Sequence, residues 1–186
     1  YKLDRGKFTT KKQSNYKRYA LSKDGVSLRA VPGSGNQIVA NSVEHNELGY
    51  SNDEAKNRVD QMNKRMQKLA TCAKEDMAAP KLFGPKNADL TIVSWGSNKG
   101  AILEAMSNFK NVNFLHIAWL SPFPTKAVLD VLRRSKRILN IECNSTAQMG
   151  GLIKEKTSIE IKDNLLKYNG RPFFPEEIIA KINKIL

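Results

Sequence analysis

The sequence predicts an α/β protein: a three-layer α/β/α domain on a mainly parallel open sheet, preceded by a connector of hairpin, loop and long helix. Three observations lead there. From residue 88 onward, short apolar runs alternate with stretches of helical character, the pattern of βαβ units with helices on both faces of a parallel sheet. Residues 51–73 carry one apolar stripe at steps of three and four, with charge and amide around the rest of the helix. Residues 19–31 hold two apolar runs on either side of Asp24-Gly25, a two-residue turn signal.

In order along the chain, residues 1–15 are polar and rich in Lys, Thr and Ser, and read as irregular. Tyr19–Ser22 and Val26–Val31 are expected to pair as a hairpin across Asp24-Gly25, until Pro32-Gly33-Ser34-Gly35 breaks the pattern. Residues 36–50 read as a loop. Ser51 and Glu54 have capping-box spacing, and Val59, Met62, Met66, Leu69 and Ala73 then form a stripe expected to be a packing seam. Strands are expected at Leu90–Trp95, Asn113–Trp119, Arg137–Glu142 and Asn164–Tyr168. Helices are expected at Lys99–Phe109, Thr125–Arg134, Ala147–Lys156 and Pro175–Leu186, joined by right-handed crossovers.

Bulk composition narrows the classes. Of 186 residues, 40% are hydrophobic and 26% charged, which suits a packed core. No apolar run is long enough to span a bilayer, and the basic N-terminus has no signal-peptide core. Cys72 and Cys143 are too few and too far apart for a disulfide scaffold, a zinc site or an iron–sulfur cluster, and a cytoplasmic setting with reduced thiols is the default. The first residue is Tyr1, which implies a piece of a longer protein. Net charge is +13, of which +7 falls in residues 1–30. Such a segment can attract nucleic acid, but a solvated arm or one folded on an acidic neighbour is the expected reading.

Ligands of open parallel sheets bind at the carboxyl ends of the strands. Three such ends carry candidates. Ser94-Trp95-Gly96-Ser97-Asn98-Lys99-Gly100 sets a glycine and a hydroxyl before a helix N-terminus, where amides favour an anion, though Ser97 serves equally as an N-cap. Leu120-Ser121-Pro122-Phe123-Pro124 reads as a rigid turn. Glu142-Cys143-Asn144-Ser145-Thr146-Ala147-Gln148 places polar groups where burial is expected, so they bind each other, a neighbouring subunit or a ligand. Gly96, Ser97, Asn144 and Gln148 are therefore the cofactor-binding candidates. Cys143 has no basic partner in sequence; His116 reads as a structural histidine; and Glu44, His45 and Glu47 make a weak metal candidate without a second cluster. No catalytic constellation and no metal site emerges.

Taken together, the segments resemble the C-terminal part of the α subunit of 2-oxoacid:ferredoxin oxidoreductases, nearest the 2-oxoglutarate type. The residues that carry this are Lys17-Arg18-Tyr19, Asp24–Gly33, Glu44-His45-Asn46-Glu47-Leu48-Gly49-Tyr50 (similar to the family's EHDExGH), Asn57-Arg58, Lys64-Arg65-Met66, Gly84-Pro85, Trp95-Gly96-Ser97, Pro122-Phe123-Pro124 and Glu142–Gln148, in that order over residues 16–186. The resemblance implies oxidative decarboxylation of a 2-oxoacid to acyl-CoA in the full complex. Thiamine diphosphate with Mg2+ would supply the ylid, coenzyme A would take the acyl group, and iron–sulfur clusters would pass electrons to ferredoxin. It implies a β subunit as partner, with γ and δ subunits in some assemblies, and neither membrane nor nucleic acid.

The resemblance also divides the chain. Residues 1–79 correspond to the tail of the pyrimidine-binding domain and a connector, and residues 80–186 to a transketolase C-terminal-like α/β domain. The family's YPITP-like motif is absent, so no catalytic residue is carried over, and the segment is expected to be structural and inactive alone. Leu28, Asn46, Tyr50 and Thr146-Ala147 depart from the family pattern. The alternatives from other classes are a coenzyme A or nucleotide binding module at the sheet's carboxyl edge, and a basic nucleic-acid-binding domain.

Overall fold

The computed structural model describes residues 3–186. The chain forms two compact units, one ending at Met77 and the other spanning Ala78–Leu186.

The second unit is the expected α/β domain. Its elements are β3 (Lys81–Phe83), β4 (Leu90–Trp95), α2 (Lys99–Met106), β5 (Val112–Ile117), α3 (Thr125–Leu132), β6 (Ile138–Glu142), α4 (Gln148–Thr157), β7 (Asp163–Leu166) and α5 (Pro175–Ile185), numbered after the first unit's elements, which are given below. The sheet order is β3-β5-β4-β6-β7. All neighbours are parallel except β3, which runs antiparallel to β5 with Leu82 opposite Leu115. Its three residues are too few to show a sequence period, so this edge strand was not foreseen.

Crossover handedness explains the layers. The chain moves from β4 to β5 in one direction, then from β5 to β6 and on to β7 in the other. Right-handed connections must therefore place α2 on one face, and α3 and α4 on the opposite one. Leu90, Ile92, Val112, Phe114, Leu139 and Ile141 pack with Ile102 of α2 and with Ile178 and Ile182 of α5. Val93, Leu115 and Ile117 pack on the other face with Val128, Leu132, Met149 and Ile153. Alternate residues of each strand thus feed two separate apolar layers, and this domain is buried on both faces.

The first unit departs from expectation in three respects. No hairpin forms. Gly25 is left-handed (φ +74°) but Asp24 is not, whereas the hairpin turn suited to this dipeptide needs both. Instead the Ser22–Gly25 turn, closed by the Gly25 amide on the Ser22 carbonyl at 3.1 Å, lies against the long helix α1 (Ala55–Glu75). A Cβ on Gly25 would stand 2.4 Å from the Lys68 nitrogen and 2.5 Å from the Lys64 carbonyl, so only glycine allows this approach. Arg29–Ala30 (β2) pairs in parallel with Phe8–Thr9 (β1) rather than with Tyr19–Ser22.

The capping box does not form either. The helix begins at Ala55 with Glu54 as N-cap and no side-chain cap; Ser51 bridges His45, and Asn52 accepts from the Glu54 amide at 2.9 Å. The third departure concerns the helix's facing. Val59, Met62, Met66 and Leu69 are exposed, Val59 and Met66 by more than half (56% and 57%), while Gln61 and Lys64 are buried. The period is helical as expected, but the stripe expected as a packing seam is uncovered and its polar neighbour lies inside.

Candidate functional site

The order in which successive strands are added to the sheet reverses between the parallel neighbours β4 and β6, and their carboxyl ends define the crevice where doubly wound sheets hold ligands. A small pocket of about 150 Å³ lies there, lined by Trp95, Gly96, Ser97, Asn98 and Cys143. Gly96 is left-handed (φ +66°) and begins a single 3-10 turn that leads into α2. Asn98 donates to Ser94 Oγ at 3.2 Å and accepts from Cys143 Sγ at 3.1 Å; Ser94 in turn donates to the Ile141 carbonyl at 2.7 Å. The two strand ends are thereby tied across the crevice.

Glu142, at the tip of β6, has no exposed surface. Its Oε1 accepts from Asn140 Nδ2 (2.7 Å) and the Gly150 amide (3.0 Å). Its Oε2 accepts from Asn144 Nδ2 (2.7 Å), the Met149 amide (3.0 Å) and Trp95 Nε1 (3.3 Å). Burial alone would push this carboxyl up. The Met149 and Gly150 amides, with Asn140 and Asn144, outweigh burial and hold it below the ordinary range. The negative charge therefore sits at the N-terminus of α4, where the free amides and the helix dipole favour it. Ala147, just before that helix, is left-handed (φ +51°), which turns the chain so the amides face the carboxylate.

Of the four candidates, Gly96 and Ser97 line the pocket, whereas Asn144 and Gln148 do not. Asn144 is occupied internally: besides its bond to Glu142, its Oδ1 accepts from the amides of Thr146 (3.1 Å) and Gln148 (3.4 Å). On β5, His116 packs against Phe114 with ring centroids 5.7 Å apart; burial lowers its pKa, and its buried Nε2 has no partner among the described residues.

The loop around Glu44–Tyr50 is a structural hub of the first unit. Glu44 pairs with Arg65 at 2.5 Å and with Arg58 at 3.8 Å, and the Arg65 guanidinium holds its pKa down at about 2. Glu47 pairs with Lys17 at 2.8 Å and accepts from the Leu21 amide at 3.0 Å. His45 stacks on Tyr19 at 3.7 Å, and Asn46 Oδ1 accepts from the amides of Leu48, Gly49 and Tyr50. The carboxylates weighed as metal ligands are thus held by cations. Among the described residues no three His, Cys, Asp or Glu stand close enough to hold a metal ion.

Sequence reasoning missed a second concavity. A pocket of about 270 Å³ in the first unit is lined by Arg5, Lys7, Arg18, Arg29, Lys64 and Lys68, beside Tyr19 and Ser27. The available signal was the row Gln61, Lys64, Lys68 at steps of three and four, which reads as a solvated face.

Comparison with known proteins places the chain. The α subunit of 2-oxoacid:ferredoxin oxidoreductase 1 from Sulfurisphaera tokodaii is 33% identical over 189 aligned residues, covering all of this chain and 30% of that subunit. The α chain of a probable 2-oxoacid ferredoxin oxidoreductase from Thermoplasma acidophilum is 40% identical, covering 57% of this chain and 96% of that one. The chain belongs to the 2-oxoacid:ferredoxin oxidoreductase α-subunit family.

Fold agrees with that family. The 2-oxoglutarate:ferredoxin oxidoreductase of Magnetococcus marinus, whose structure carries 2-oxoglutarate, coenzyme A and succinyl-CoA, superposes with a TM-score of 0.78 at 29% identity, over 92% of this chain and 31% of that one. The Thermoplasma α chain superposes with a TM-score of only 0.41 and lends the fold no support. No protein-family model matches the chain. It spans about 30% of the length of the curated relatives it matches. Among the described residues, no helix is long and apolar enough to cross a membrane.

Proposed function

We propose that this chain is the C-terminal part of the α subunit of an enzyme that oxidatively decarboxylates a 2-oxoacid, 2-oxoglutarate or a related acid, to its acyl-CoA and passes electrons to ferredoxin. In this reading the segment contributes architecture and subunit contact, and the bond-breaking chemistry belongs to other parts of the complex. The reading rests on the whole-chain identity to such α subunits and, within the molecule, on one observation above all. Helix α1 turns Val59, Met62, Met66 and Leu69 to the outside. A row of large apolar side chains along a 21-residue helix is a surface that suits a neighbour.

The residues here do not suit the complex's other cofactors. An iron–sulfur cluster needs four thiolates, and Cys72 and Cys143 are free and far apart in sequence. Mg2+ with thiamine diphosphate needs clustered oxygen ligands, and the carboxylates of the Glu44 loop are tied to Lys17, Arg58 and Arg65. Those groups are assigned to the remaining domains and to the β subunit, with γ or δ subunits where present. Gly96 and Ser97, together with Asn144 and Gln148, remain the proposed point at which the second unit approaches the coenzyme. A transketolase C-terminal-like role for residues 80–186, after a pyrimidine-domain tail and connector in residues 1–79, completes the reading.

The test has two parts. The 186-residue chain alone should give no 2-oxoacid-dependent reduction of a viologen dye, and the assembled complex should give it with coenzyme A present; turnover by the isolated chain overturns the proposal. Met62→Gln with Met66→Gln should leave the folding of the chain unchanged yet lower the yield of assembled complex on size-exclusion chromatography. Unchanged assembly would remove α1 as the contact surface.

A further inference from the structure

We propose that the basic pocket of the first unit is a binding site for a phosphate-bearing anion, a diphosphate or phosphate ester, held by Arg18, Arg29, Lys64 and Lys68. The proposal stands apart from the family assignment and uses none of the residues at the sheet's carboxyl edge.

Lys64 is the central observation. It is 8% exposed and lines the pocket. Its ammonium donates to the Tyr19 carbonyl at 2.7 Å and to Ser27 Oγ at 3.2 Å, which leaves one of three donors over. Both partners are neutral, and among the described residues no carboxylate lies within ion-pair distance of it. Buried lysines are ordinarily paired, because an isolated ammonium loses its hydration for nothing in return. Glu47, which could approach, is tied to Lys17.

The surroundings make the shortage of negative charge worse. Burial first, then the positive charges of Lys68, Arg65 and Arg18, lower the Lys64 pKa to about 8. Arg18 lies over the Tyr19 ring at 4.9 Å and Lys64 over the same ring at 5.6 Å, so both cations border that ring. Arg29 reaches back to the Arg5 carbonyl at 2.9 Å. Of the six cations lining the pocket, only Lys7 has a carboxylate partner among the described residues, Asp24.

Several features of the fold bring these charges together. The left-handed Gly25 lets the turn rest on the helix backbone between Lys64 and Lys68, and Thr71 Oγ1 fixes it through the Asp24 carbonyl at 2.8 Å. Val26 and Ser27 follow directly and form the pocket's floor beside the two lysines. Pairing β2 with β1 sets Arg29 next to Arg5 and Lys7. A fold that collects cations in one concavity, at the cost of mutual repulsion, gains if an anion completes it. Arginine forks and lysine point charges together match phosphate oxygens. At about 270 Å³ the concavity is near the lower end of small-molecule pockets, roughly 300–1,000 Å³, and suits a small anion better than a duplex surface.

Calorimetric titration of the full chain at neutral pH and constant ionic strength tests this, with pyrophosphate as the probe and ADP and a duplex oligonucleotide as further arms. Pyrophosphate should bind, and Arg18→Gln with Lys68→Gln should weaken it by on the order of tenfold. Lys74→Gln with Lys86→Gln, which removes the same charge away from the pocket, should leave it unchanged. ADP binding more tightly than pyrophosphate supports the site and assigns it to a nucleotide-borne phosphate. ADP binding equally or less tightly supports it with a free diphosphate as ligand. No pyrophosphate binding, equal weakening in both double variants, or an oligonucleotide that displaces pyrophosphate and loses affinity equally in both variants, overturns the proposal. Lys64→Gln is informative only if its circular dichroism matches the parent, so the rim variants decide the result.

Discussion

The two units of this chain are held together by opposite means. In Ala78–Leu186 the strands bury aliphatic and aromatic side chains on both faces, with Leu90, Ile92, Phe114 and Ile141 all without exposed surface. In the unit ending at Met77, Ala30 is the one buried hydrophobic residue among the described residues, and Gln61 and Lys64 occupy the inner face of α1. The first arrangement draws its stability from the hydrophobic effect and is expected of a domain that folds on its own. The second rests on close backbone approach, ion pairs and side-chain-to-backbone hydrogen bonds, and leaves its apolar surface outside. A region built that way is suited to life inside a larger assembly, where a neighbour supplies the missing burial.

That contrast can be broken most directly at Phe114. Truncation to Ala should cost about 4 kcal/mol, as for large buried aromatics. Urea unfolding followed by tryptophan fluorescence reads it cleanly, since Trp95 and Trp119 both lie in the second unit. A loss below about 1 kcal/mol would show that the sheet is not the rigid core described. Gly25→Ala strikes the first unit's own device. Its Cβ would meet helix backbone, which cannot yield, and the left-handed conformation adds strain. A loss of about 3 kcal/mol is expected, visible as faster proteolysis between residues 22 and 77.

Glu142→Gln sharpens the contrast by testing polar stabilisation inside the apolar domain. Exchanging an acceptor for a donor against five inward-pointing donors should cost about 2 kcal/mol. Because the folded pKa is depressed, the carboxylate's contribution is present above the ordinary value of 4.5 and is lost as pH falls through the lowered one. The parent should therefore lose stability on acidification more steeply than the variant. The smallest effect concerns Lys64. Its folded pKa, about 8, lies below the ordinary 10.5, so between these values the unfolded chain holds a proton that the folded one has released. Stability of the first unit should rise with pH across that window, and Lys64→Met should abolish the rise in pH-dependent thermal melts.

The second unit was legible in the sequence because burial on both sides of a parallel sheet leaves continuous apolar runs. Leu90–Trp95, the helix starts at Lys99, Thr125 and Pro175 and the strand end at Glu142 are placed as expected, and the remaining boundaries of the foreseen elements shift by one to three residues. The first unit was not, and for identifiable reasons. Periodicity reports which residues share a face but not which face is covered, so the expected packing seam of Val59, Met62, Met66 and Leu69 lies uncovered within this chain. Asp24-Gly25 is a turn as expected, but dihedral sign at Asp24 decided whether strands could pair across it. At the candidate site, Glu142 was recognisable as a polar group at a strand tip. Its five donors come from β4, β6, the loop after β6 and the start of α4, and only the folded path of that loop and the approach of β4 bring them together. The Lys64 pocket draws on segments from Arg5 to Lys68, a separation no local pattern records.

The carboxylate of Glu142 also sets a clock on helix α4. The first amides of a helix usually have no partner in the chain and exchange their hydrogens with solvent readily. Here the amides of Met149 and Gly150 are fastened to a group with no exposed surface. Their hydrogens can leave only when α4 lifts from the end of β6, which opens the crevice at the centre of the sheet. In deuterated water these two positions should be among the slowest to exchange, and their rate would report the opening of the whole domain rather than the fraying of one helix end.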